Sequence, residues 1–252
     1  MDFYQLSTHD HLYVLANVWD ANSAKTAELE GYPAIGTSSA AIAHSLGYED
    51  GETMTFDELL FVVRRILACS TLPLNVDIES GYGESTDQIS GNIRTLISMG
   101  VKGINIEDSK VLAGERKIEN MVDFQQKLRD VIKLLGSQRR EVFINVRTDT
   151  FLLGLDNAKE ETLERAQHYA NAGADGLFVP FISKPEDIKA AVDACALPLN
   201  VMCTPTLPEF GALQQLGVNR VSMGNYAHSF SQEALRRVFS EIRDSQSFIP
   251  LF

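Results

Sequence analysis

The chain has 252 residues, 44% of them hydrophobic, which is enough apolar material for one large domain or two small ones. Its 34 acidic residues outnumber the 22 basic ones, and no lysine or arginine cluster could follow a phosphate backbone, so we expect no nucleic-acid partner. No apolar run approaches the roughly 20 residues of a membrane span, and the first residues lack the features of an export signal. We therefore expect a cytoplasmic protein with no membrane partner.

Eight candidate strands follow one another along the chain. Four of them begin about two to three residues after a glycine that stands where a helix would end, as in the short loops that join helices to strands. In chain order the candidates are 13–18, the segment after Gly31, 72–78, the segment after Gly100, 141–147, the segment after Gly173, 197–203 and the segment after Gly217.

Stretches with the 3.6-residue apolar spacing of helices lie between these strands. They include 56–67, 85–98, 121–135, 161–172 and 232–242. Eight strands that alternate with helices over this length predict a closed (β/α)₈ TIM-type barrel of the α/β class, and we expect one barrel domain over residues 1–252. A doubly wound open sheet is the alternative, but it would need a glycine-rich turn after the first strand, where the chain has Trp19-Asp20-Ala21-Asn22.

Polar and apolar residues alternate in three of these segments, NVDIE (75–79), NIED (105–108) and NVRTD (145–149). Alternation in a strand places Asp77 and Glu79 on one face, and the same reasoning applies to Glu107 and Arg147 in their own strands. Buried parallel strands are usually apolar throughout, because neither face can hydrate a charge. Acids and an arginine at the carboxyl ends of barrel strands therefore predict a shared divalent cation and an anionic ligand.

Asp77, Glu79 and Glu107 are the predicted metal ligands. Carboxylate oxygens suit Mg²⁺ or Mn²⁺, and the lack of nearby histidine and cysteine argues against zinc. The alternative for acids at such positions is helix capping. We expect that role for Asp108, as the cap of a helix that follows it.

Arg147 is predicted to bind an anionic group of the substrate, since its planar guanidinium matches a carboxylate or a phosphonate. The alternative is a buried ion pair with Asp149 or with one of the acids on the metal side. Ser38 and Ser39, with the adjoining backbone amides, could hold a second anionic group, or they could be simple turn residues.

Other catalytic chemistries find little support in the sequence. No lysine ends any of the candidate strands, which disfavours Schiff-base aldolase chemistry. No Ser-His-Asp or Cys-His pairing can be identified from the scattered histidines, which are His9, His11, His44, His168 and His228.

Six motifs occur in a fixed order over roughly residues 10 to 225. They are WDANSA from Trp19, AIGTSSAAIAHSLGYEDG from Ala34, NVDIESGYG up to Gly83, GINIEDS up to Ser109, NVRTDTF up to Phe151 and GADGLFVP up to Pro180. In these motifs the chain resembles the phosphoenolpyruvate mutase and isocitrate lyase superfamily of barrel enzymes. The resemblance implies a Mg²⁺-dependent enzyme that acts on a small 2-oxo acid through an enolate-like intermediate.

The resemblance also implies roles for individual residues. Asp77 would contact the metal while Glu79 and Glu107 hold its waters, although Glu79 stands where the family usually has an aspartate. Either Lys110 or Arg116 would close over the substrate from a loop. The expected roles are catalytic for Asp50, Arg147 and Lys110, substrate-binding for Trp19, Ser38, Ser39, Ala40 and Arg147, and metal-binding for Asp77, Glu79 and Glu107.

The stretch SKVLAGERKIEN after Asp108 departs from the family pattern. Family lyases that cleave isocitrate or methylisocitrate carry a Lys-Arg-Cys-Gly-His loop there, so the absence of cysteine and histidine argues against those activities. Pro180 stands where the mutases have a histidine, which weakens the case for phosphoryl transfer.

The leading hypothesis is therefore a Mg²⁺-dependent lyase or hydrolase that cleaves a C–C bond of a small 2-oxo or hydroxy dicarboxylic acid. The alternatives are C–P chemistry of the phosphonopyruvate hydrolase or mutase type, and a non-catalytic homologue that binds 2-oxo acids. Because the family forms oligomers, we also expect a homo-oligomer, either a dimer or a tetramer. The apolar tail SFIPLF at 247–252 follows the last predicted helix, and it leaves open whether a helix is exchanged between subunits.

Overall fold

The computed structural model describes residues 3–8 and 11–252, so His9 lies outside the described residues. Within them, eight parallel strands form a closed barrel in which the last strand pairs with the first. The strands are β1 Tyr13–Val18, β2 Ile35–Thr37, β3 Leu74–Asp77, β4 Gly103–Glu107, β7 Phe143–Arg147, β8 Gly176–Val179, β9 Leu199–Met202 and β10 Arg220–Ser222. The predicted (β/α)₈ barrel and all eight predicted strands are confirmed.

Helices surround the barrel in the described part of the chain. They are α1 Phe3–Thr8, α2 Ala21–Leu29, α3 Ser39–Leu46, α4 Phe56–Leu67, α5 Thr86–Ser98, α6 Met121–Leu135, α7 Ala158–Ala172, α8 Pro185–Ala194, α9 Phe210–Leu216 and α10 Tyr226–Ser245, with 3₁₀ turns at Gly136–Glu141 and Ile249–Leu251. None of these described helices is both long and apolar enough to cross a membrane.

An antiparallel hairpin follows β4, where the sequence predicted a loop and a helix cap. Its strands are β5 Ser109–Leu112 and β6 Glu115–Ile118, and they are joined by Ala113 and Gly114, which both have positive φ. Two consecutive left-handed residues are what a tight two-residue hairpin turn requires. The hairpin lies above the carboxyl ends of the barrel strands, because β5 begins two residues after β4 ends.

Local sequence explains where the helices begin and end. In α4, Thr55 accepts a hydrogen bond from the Glu58 amide, and the Glu58 carboxylate accepts one from the Thr55 amide at 2.7 Å. This reciprocal cap fixes the start of the helix at Phe56, as predicted. At the other end, Gly173 and Gly217 have φ values of 101° and 93° just after α7 and α9, which confirms their expected role as left-handed helix stops.

The strands have two chemically different faces. Outward residues such as Val76, Ile104 and Val146 pack against the helices in the main apolar core. Inward-facing residues change along the barrel axis, from an apolar layer at the amino-terminal end, through a polar middle layer, to charged side chains at the carboxyl ends. The apolar layer contains Tyr13, Leu15 and Phe143, with Phe3 of α1 packed against them. The middle layer contains Asn75, Asn105, Asn145, Asn200 and Arg220, and the charged side chains are Asp77, Glu107 and Arg147.

Helix α1 closes the amino-terminal end of the barrel. Phe3 packs edge-to-face on Phe143 with a centroid distance of 6.0 Å, and the Ser7 and Tyr13 hydroxyls are 3.0 Å apart. These contacts fill the amino-terminal end of the barrel interior, whereas Asp77 and Arg147 lie at the opposite end.

Candidate functional site

A cavity of about 430 Å³ opens at the carboxyl ends of the barrel strands. One wall is polar and the other is apolar. The polar wall contains Asn17, Thr37, Ser38, Ser39, Asp50, Asp77, Asn105, Arg116 and Arg147, and the apolar wall Leu152, Leu153, Phe178, Pro180, Phe181 and Met202, with Ala40 also in the lining. The fold thus brings together six of the residues predicted from the sequence, namely Ser38, Ser39, Ala40, Asp50, Asp77 and Arg147.

The other predicted residues lie outside this lining. Glu79, Glu107 and Lys110 line a neighbouring cavity of about 210 Å³ beside the hairpin. Trp19 packs edge-to-face against His228 of α10, with ring centroids 5.1 Å apart. Of the two loop cations, Arg116 rather than Lys110 reaches the main cavity, because it lies on the second hairpin strand.

The amino terminus of α3 borders the cavity with unused backbone donors. Ser38 is the N-cap and its hydroxyl accepts a hydrogen bond from the Ala41 amide at 3.3 Å. The amides of Ser39 and Ala40 occupy the first turn, where no intrahelical acceptor exists. Such a helix end favours an anion. Ser38 is therefore a helix cap, a role that the sequence did not predict for it, and the two amides beside it are suited to a carboxylate.

Asp77 is held in place by three neighbours. Its amide donates to Thr37 Oγ1 at 2.8 Å, the Ser39 hydroxyl donates to Asp77 Oδ2 at 2.9 Å, and the Glu79 amide donates to Oδ1 at 3.3 Å. Burial raises the pKa of the Asp77 carboxyl, and the nearby Arg147 opposes that shift. A fixed, desolvated carboxylate of this kind gains from a cationic ligand.

Glu79 does not continue the alternation of β3 as the sequence pattern predicted. The strand ends at Asp77, and Glu79 has a left-handed backbone with a φ of 48°. Its carboxylate accepts hydrogen bonds from the Glu52 amide at 2.8 Å and from the Tyr82 hydroxyl at 3.0 Å. Burial, together with the charges of Asp50 and Asp77, raises the pKa of Glu79 to about 8. These acids therefore interact, although Glu79 faces the neighbouring cavity.

Glu107 links the two cavities. It is 1% exposed, and its two carboxylate oxygens contact different arginines, Oε1 with Arg116 Nη1 and Oε2 with Arg147 Nη1 at 2.9 Å. Burial raises the pKa of Glu107 well above its ordinary value, opposed by Arg147 and reinforced by Asp149. Glu107 consequently depends on neighbouring cations for its ionised form.

Arg147 is anchored by the carboxylate of Asp149. Its Nε lies 2.6 Å from Asp149 Oδ1 and its Nη2 lies 3.1 Å from Oδ2. Burial lowers the pKa of Arg147, but the charges of Asp149, Glu107 and Asp77 outweigh it, so the pKa lies well above the usual value. The ion pair that was the alternative reading from sequence is present. The same guanidinium also lines the cavity, so binding an anion there remains a prediction.

Arg116 connects the hairpin to the acids of the site. Its Nη2 is 3.1 Å from Asp50 Oδ2, and its Nη1 contacts Glu107, the Ser109 hydroxyl at 2.9 Å and Asp149 Oδ2 at 3.4 Å. The sequence named Arg116 only as one of two loop candidates. The Ala-Gly pair between two short segments was a weak signal for the hairpin turn that positions it.

The expected cap role of Asp108 is wrong, because a hairpin and not a helix follows it. The next helix, α6, is capped by Asn120. Asp108 is fully buried and accepts hydrogen bonds from Arg165 Nη1 at 3.1 Å, the Tyr169 hydroxyl at 2.6 Å and the Asp149 amide at 3.0 Å. It supports the site from below by fixing the backbone at Asp149.

The fit of a divalent cation rests on the donor chemistry. Asp50, Asp77, Glu79 and Glu107 supply only carboxylate oxygens, the ligands preferred by Mg²⁺ and Mn²⁺, and Asp50 Oδ1 is buried with no hydrogen-bond partner. Within residues 3–8 and 11–252, no three acidic, histidine or cysteine side chains already converge as a formed metal site. The residues therefore fit a hard cation, while Arg116 provides part of the positive charge between Asp50 and Glu107.

Residues 3–243 match the family model described as phosphoenolpyruvate phosphomutase. The chain belongs to this family, which confirms the resemblance seen in the sequence motifs and, with it, an enzyme of the phosphoenolpyruvate mutase and isocitrate lyase type.

Comparison with individual proteins gives the same family. The chain is 33% identical to an uncharacterised protein of Mycobacterium tuberculosis strain H37Rv over 98% of this chain and 90% of that protein. It is 32% identical to the 2-methylisocitrate lyase of Escherichia coli K12, covering 82% and 69%. It is 30% identical to the oxaloacetate decarboxylase of Rhodopseudomonas palustris TIE-1, covering 91% and 80%.

Among solved structures, a candidate phosphonomutase of Burkholderia cenocepacia J2315 superposes with a TM-score of 0.87. It is 34% identical in sequence and covers 94% of this chain and 97% of that one. The barrel architecture is thus shared with a protein of nearly the same length.

Proposed function

We propose that this protein is a Mg²⁺-dependent enzyme that cleaves a C–C bond of a small 2-oxo dicarboxylic acid. The observation that carries the proposal is the position of Asp77 and Arg147 in one cavity with the amino terminus of α3, where the Ser39 hydroxyl donates to Asp77. Such a substrate needs three kinds of group. Asp77 can bind a cation, the Arg147 guanidinium can bind an anion, and the free backbone amides of α3 can bind a carboxylate.

The chain's own residues would bind and orient the substrate. The Ser39 and Ala40 amides would receive its 1-carboxylate. Arg147, whose Nε and Nη2 contact Asp149 and whose Nη1 contacts Glu107, would add its positive charge where it lines the cavity. Leu152, Phe178 and the rest of the apolar wall would exclude water from the carbon being cleaved. Anion binding in a desolvated cavity is strengthened because the local dielectric constant is low.

A divalent cation would be held by Asp77 and Asp50, with Glu79 and Glu107 close by. When bound, it would supply Lewis-acid stabilisation of the negative charge that develops on the 2-oxo oxygen, an effect worth several kcal/mol. Arg116 would balance part of the negative charge beside it, since its guanidinium contacts the carboxylates of both Glu107 and Asp50.

The side chains that line the cavity favour decarboxylation as the reaction. No cysteine or histidine is among its lining residues, so neither a thiolate nor an imidazole is available there to remove a hydroxyl proton, and its carboxylates are assigned to the cation. Decarboxylation of a 2-oxo dicarboxylic acid needs none: the bond to the departing carboxylate breaks, its electron pair forms the enolate, and that carbon later takes a proton. A water molecule would supply that proton, and Asp50, whose carboxylate lines the cavity, is our candidate for positioning that water.

Turnover of oxaloacetate, with and without Mg²⁺, tests the proposal. We expect pyruvate and CO₂ to form with Mg²⁺ and to fall to background with a chelator. Phosphonopyruvate should be turned over poorly, because Pro180 and the apolar wall offer no group for a phosphoryl intermediate. Phosphonopyruvate turnover faster than that of oxaloacetate would favour C–P chemistry instead.

A second candidate is a non-catalytic protein that binds 2-oxo acids. It is supported by the short hairpin, which contributes a positive charge but no cysteine or histidine. Oxalate binding by calorimetry together with no turnover of a panel of 2-oxo acids would favour this candidate.

We also propose a homo-oligomer in the cytoplasm. Helix α10 and the tail expose large apolar side chains, which a second copy of the chain would cover; they are Phe230, Leu235, Phe239, Phe248, Ile249 and Phe252. Isolated exposed apolar residues are common, but several large ones close together in sequence, on one helix and its tail, favour an interface. A monomer in light scattering at micromolar concentration would contradict this part of the proposal.

A further inference from the structure

A layer of buried polar side chains lies inside the barrel, directly below the cavity. Its members are Asn75, Asn105, Asn145, Asn200 and Arg220, and none is more than 7% exposed. The proposed function uses none of them. Asn105 is the most exposed of the five and the only one that also lines the cavity, where it forms part of the floor.

The orientation of the Asn105 amide is fixed by three donors. Its Oδ1 accepts hydrogen bonds from Asn75 Nδ2 at 3.1 Å, from Asn145 Nδ2 at 2.9 Å and from Arg220 Nη2 at 3.3 Å. A guanidinium can only donate, so the atom that faces Arg220 must be the oxygen. Arg220 and Asn105 lie on β10 and β4, so this contact crosses the barrel interior.

The Asn105 side-chain nitrogen is left without a hydrogen-bond partner among the residues that the structure describes. Asn17, the neighbouring asparagine of the lining, differs because its Nδ2 donates to the Thr37 carbonyl at 3.4 Å and its Oδ1 accepts from the Met223 amide at 2.7 Å. Asn17 is therefore used by the backbone, whereas Asn105 has a free N–H donor at the cavity floor.

We propose that the Asn105 side-chain amide donates a hydrogen bond to a substrate oxygen, and that Arg220 is the positioning residue that holds this amide in its donating orientation. The inference rests on the proposed function, since it names a specificity residue of the same site. A cation that donates to Oδ1 withdraws electron density from the amide and makes its N–H a stronger donor. The floor then selects a carboxylate or keto oxygen over a methyl group, because only an oxygen satisfies the donor.

Calorimetric titration of oxalate in the presence of Mg²⁺ tests the inference. Asn105→Asp keeps the acceptor for Arg220 and removes the donor, while Asn105→Leu removes the donor without adding charge. We expect both to weaken oxalate binding by about 10-fold or more, the loss typical of a hydrogen bond to a charged group. Asn200→Leu is the matched control, since Asn200 belongs to the same layer but not to the cavity lining, and it should bind within about 3-fold of the natural protein.

The role of Arg220 is tested by a pair of substitutions. Arg220→Met should weaken oxalate binding and raise KM with little change in kcat, and Arg220→Lys, which keeps a donor to Oδ1, should restore most of the loss. A purely structural role would instead lower Tm in both variants without separating their oxalate affinities.

The possible failures can be told apart. If the natural protein binds oxalate but Asn105→Leu binds it equally well, the inference is overturned and the proposed function stands. If only Asn105→Asp loses binding, charge repulsion explains the effect and the inference is overturned as well. If the natural protein does not bind oxalate, both fail.

Discussion

Arg116 Nη2 lies 3.1 Å from Asp50 Oδ2, so a hairpin that follows β4 is tied to the loop that follows α3. The next residue in that loop, Gly51, lies against Val111 of the same hairpin. One ionic contact and one close apolar contact therefore hold the hairpin over the carboxyl ends of the strands.

Replacing Arg116 by glutamine should lower kcat/KM for oxaloacetate by about 10- to 100-fold. The substitution removes the cation that contacts both Asp50 and Glu107. The loss of one preorganised group in an active site typically lowers the rate by that factor or more. Lys117→Gln is the control, since Lys117 is on the same strand, its side chain is 57% exposed and it forms an ion pair with the exposed Glu115. Equal activity of the two variants would argue against a role for Arg116.

Replacing Gly51 by alanine should displace the hairpin. A methyl group there would lie 2.8 Å from Val111 Cβ, and the φ of 110° is unfavourable for any side chain. Gly47→Ala is a matched control, because Gly47 also has a positive φ, 84°, but nothing lies within 4 Å of the added methyl. Both variants should lose about 1 to 2 kcal/mol of stability, and only Gly51→Ala should lose activity.

Adding Val111→Ala to Gly51→Ala should recover part of that activity, since it removes both γ-methyl groups of Val111 that would overlap the added methyl and leaves only the contact with Cβ. Steady-state assays and urea unfolding measure the two effects separately. A double variant no better than the single one would mean that the hairpin does not pack on Gly51 in solution.

Replacing Asp108 by alanine should lower the free energy of unfolding by about 3 to 5 kcal/mol. The change leaves Arg165, which is 4% exposed, without its buried partner. Glu233→Ala breaks an exposed pair with Arg236 and should leave the urea midpoint close to that of the natural protein. Similar urea midpoints for the two variants would show that the Asp108 network is not a stabilising one.

Substitutions of the two serines at the start of α3 should have different effects, because Ser38 caps the helix and Ser39 positions Asp77. Ser38→Ala removes the N-cap and should lower stability by about 0.5 to 2 kcal/mol. Ser39→Ala removes the hydrogen bond to Asp77 and should weaken Mg²⁺ binding with little loss of stability. Calorimetry and thermal unfolding of both variants test this division, and identical behaviour would refute it.

The barrel and much of the cavity lining could be predicted from the sequence because both depend on local patterns. Helix stops such as Gly173 mark where strands begin, and acids at strand ends must share one mouth. Asp77 and Arg147 were found in this way. The alternation rule failed at Glu79, because the strand ends at Asp77 and a left-handed residue redirects the chain.

Contacts between residues that are far apart in the chain leave no local pattern in the sequence, so they could not be predicted from it. Asp108 was expected to cap a helix, but its partners Arg165 and Tyr169 lie 57 and 61 residues away in the chain. The same is true of Arg220 and Asn105, which are 115 residues apart. Arg116 was ambiguous because its position depends on the register of the hairpin, which a two-residue turn sets.

The most direct test of a shared cation and anion site is a calorimetric titration of Mg²⁺ followed by oxalate, using the natural protein, Asp77→Asn and Asp87→Asn, an exposed aspartate of α5. We predict that Mg²⁺ binds the natural protein and Asp87→Asn alike, that oxalate binds tightly only after Mg²⁺, and that Asp77→Asn loses both events. Oxalate binding that survives chelation, or Mg²⁺ binding that survives Asp77→Asn, would contradict the proposed site.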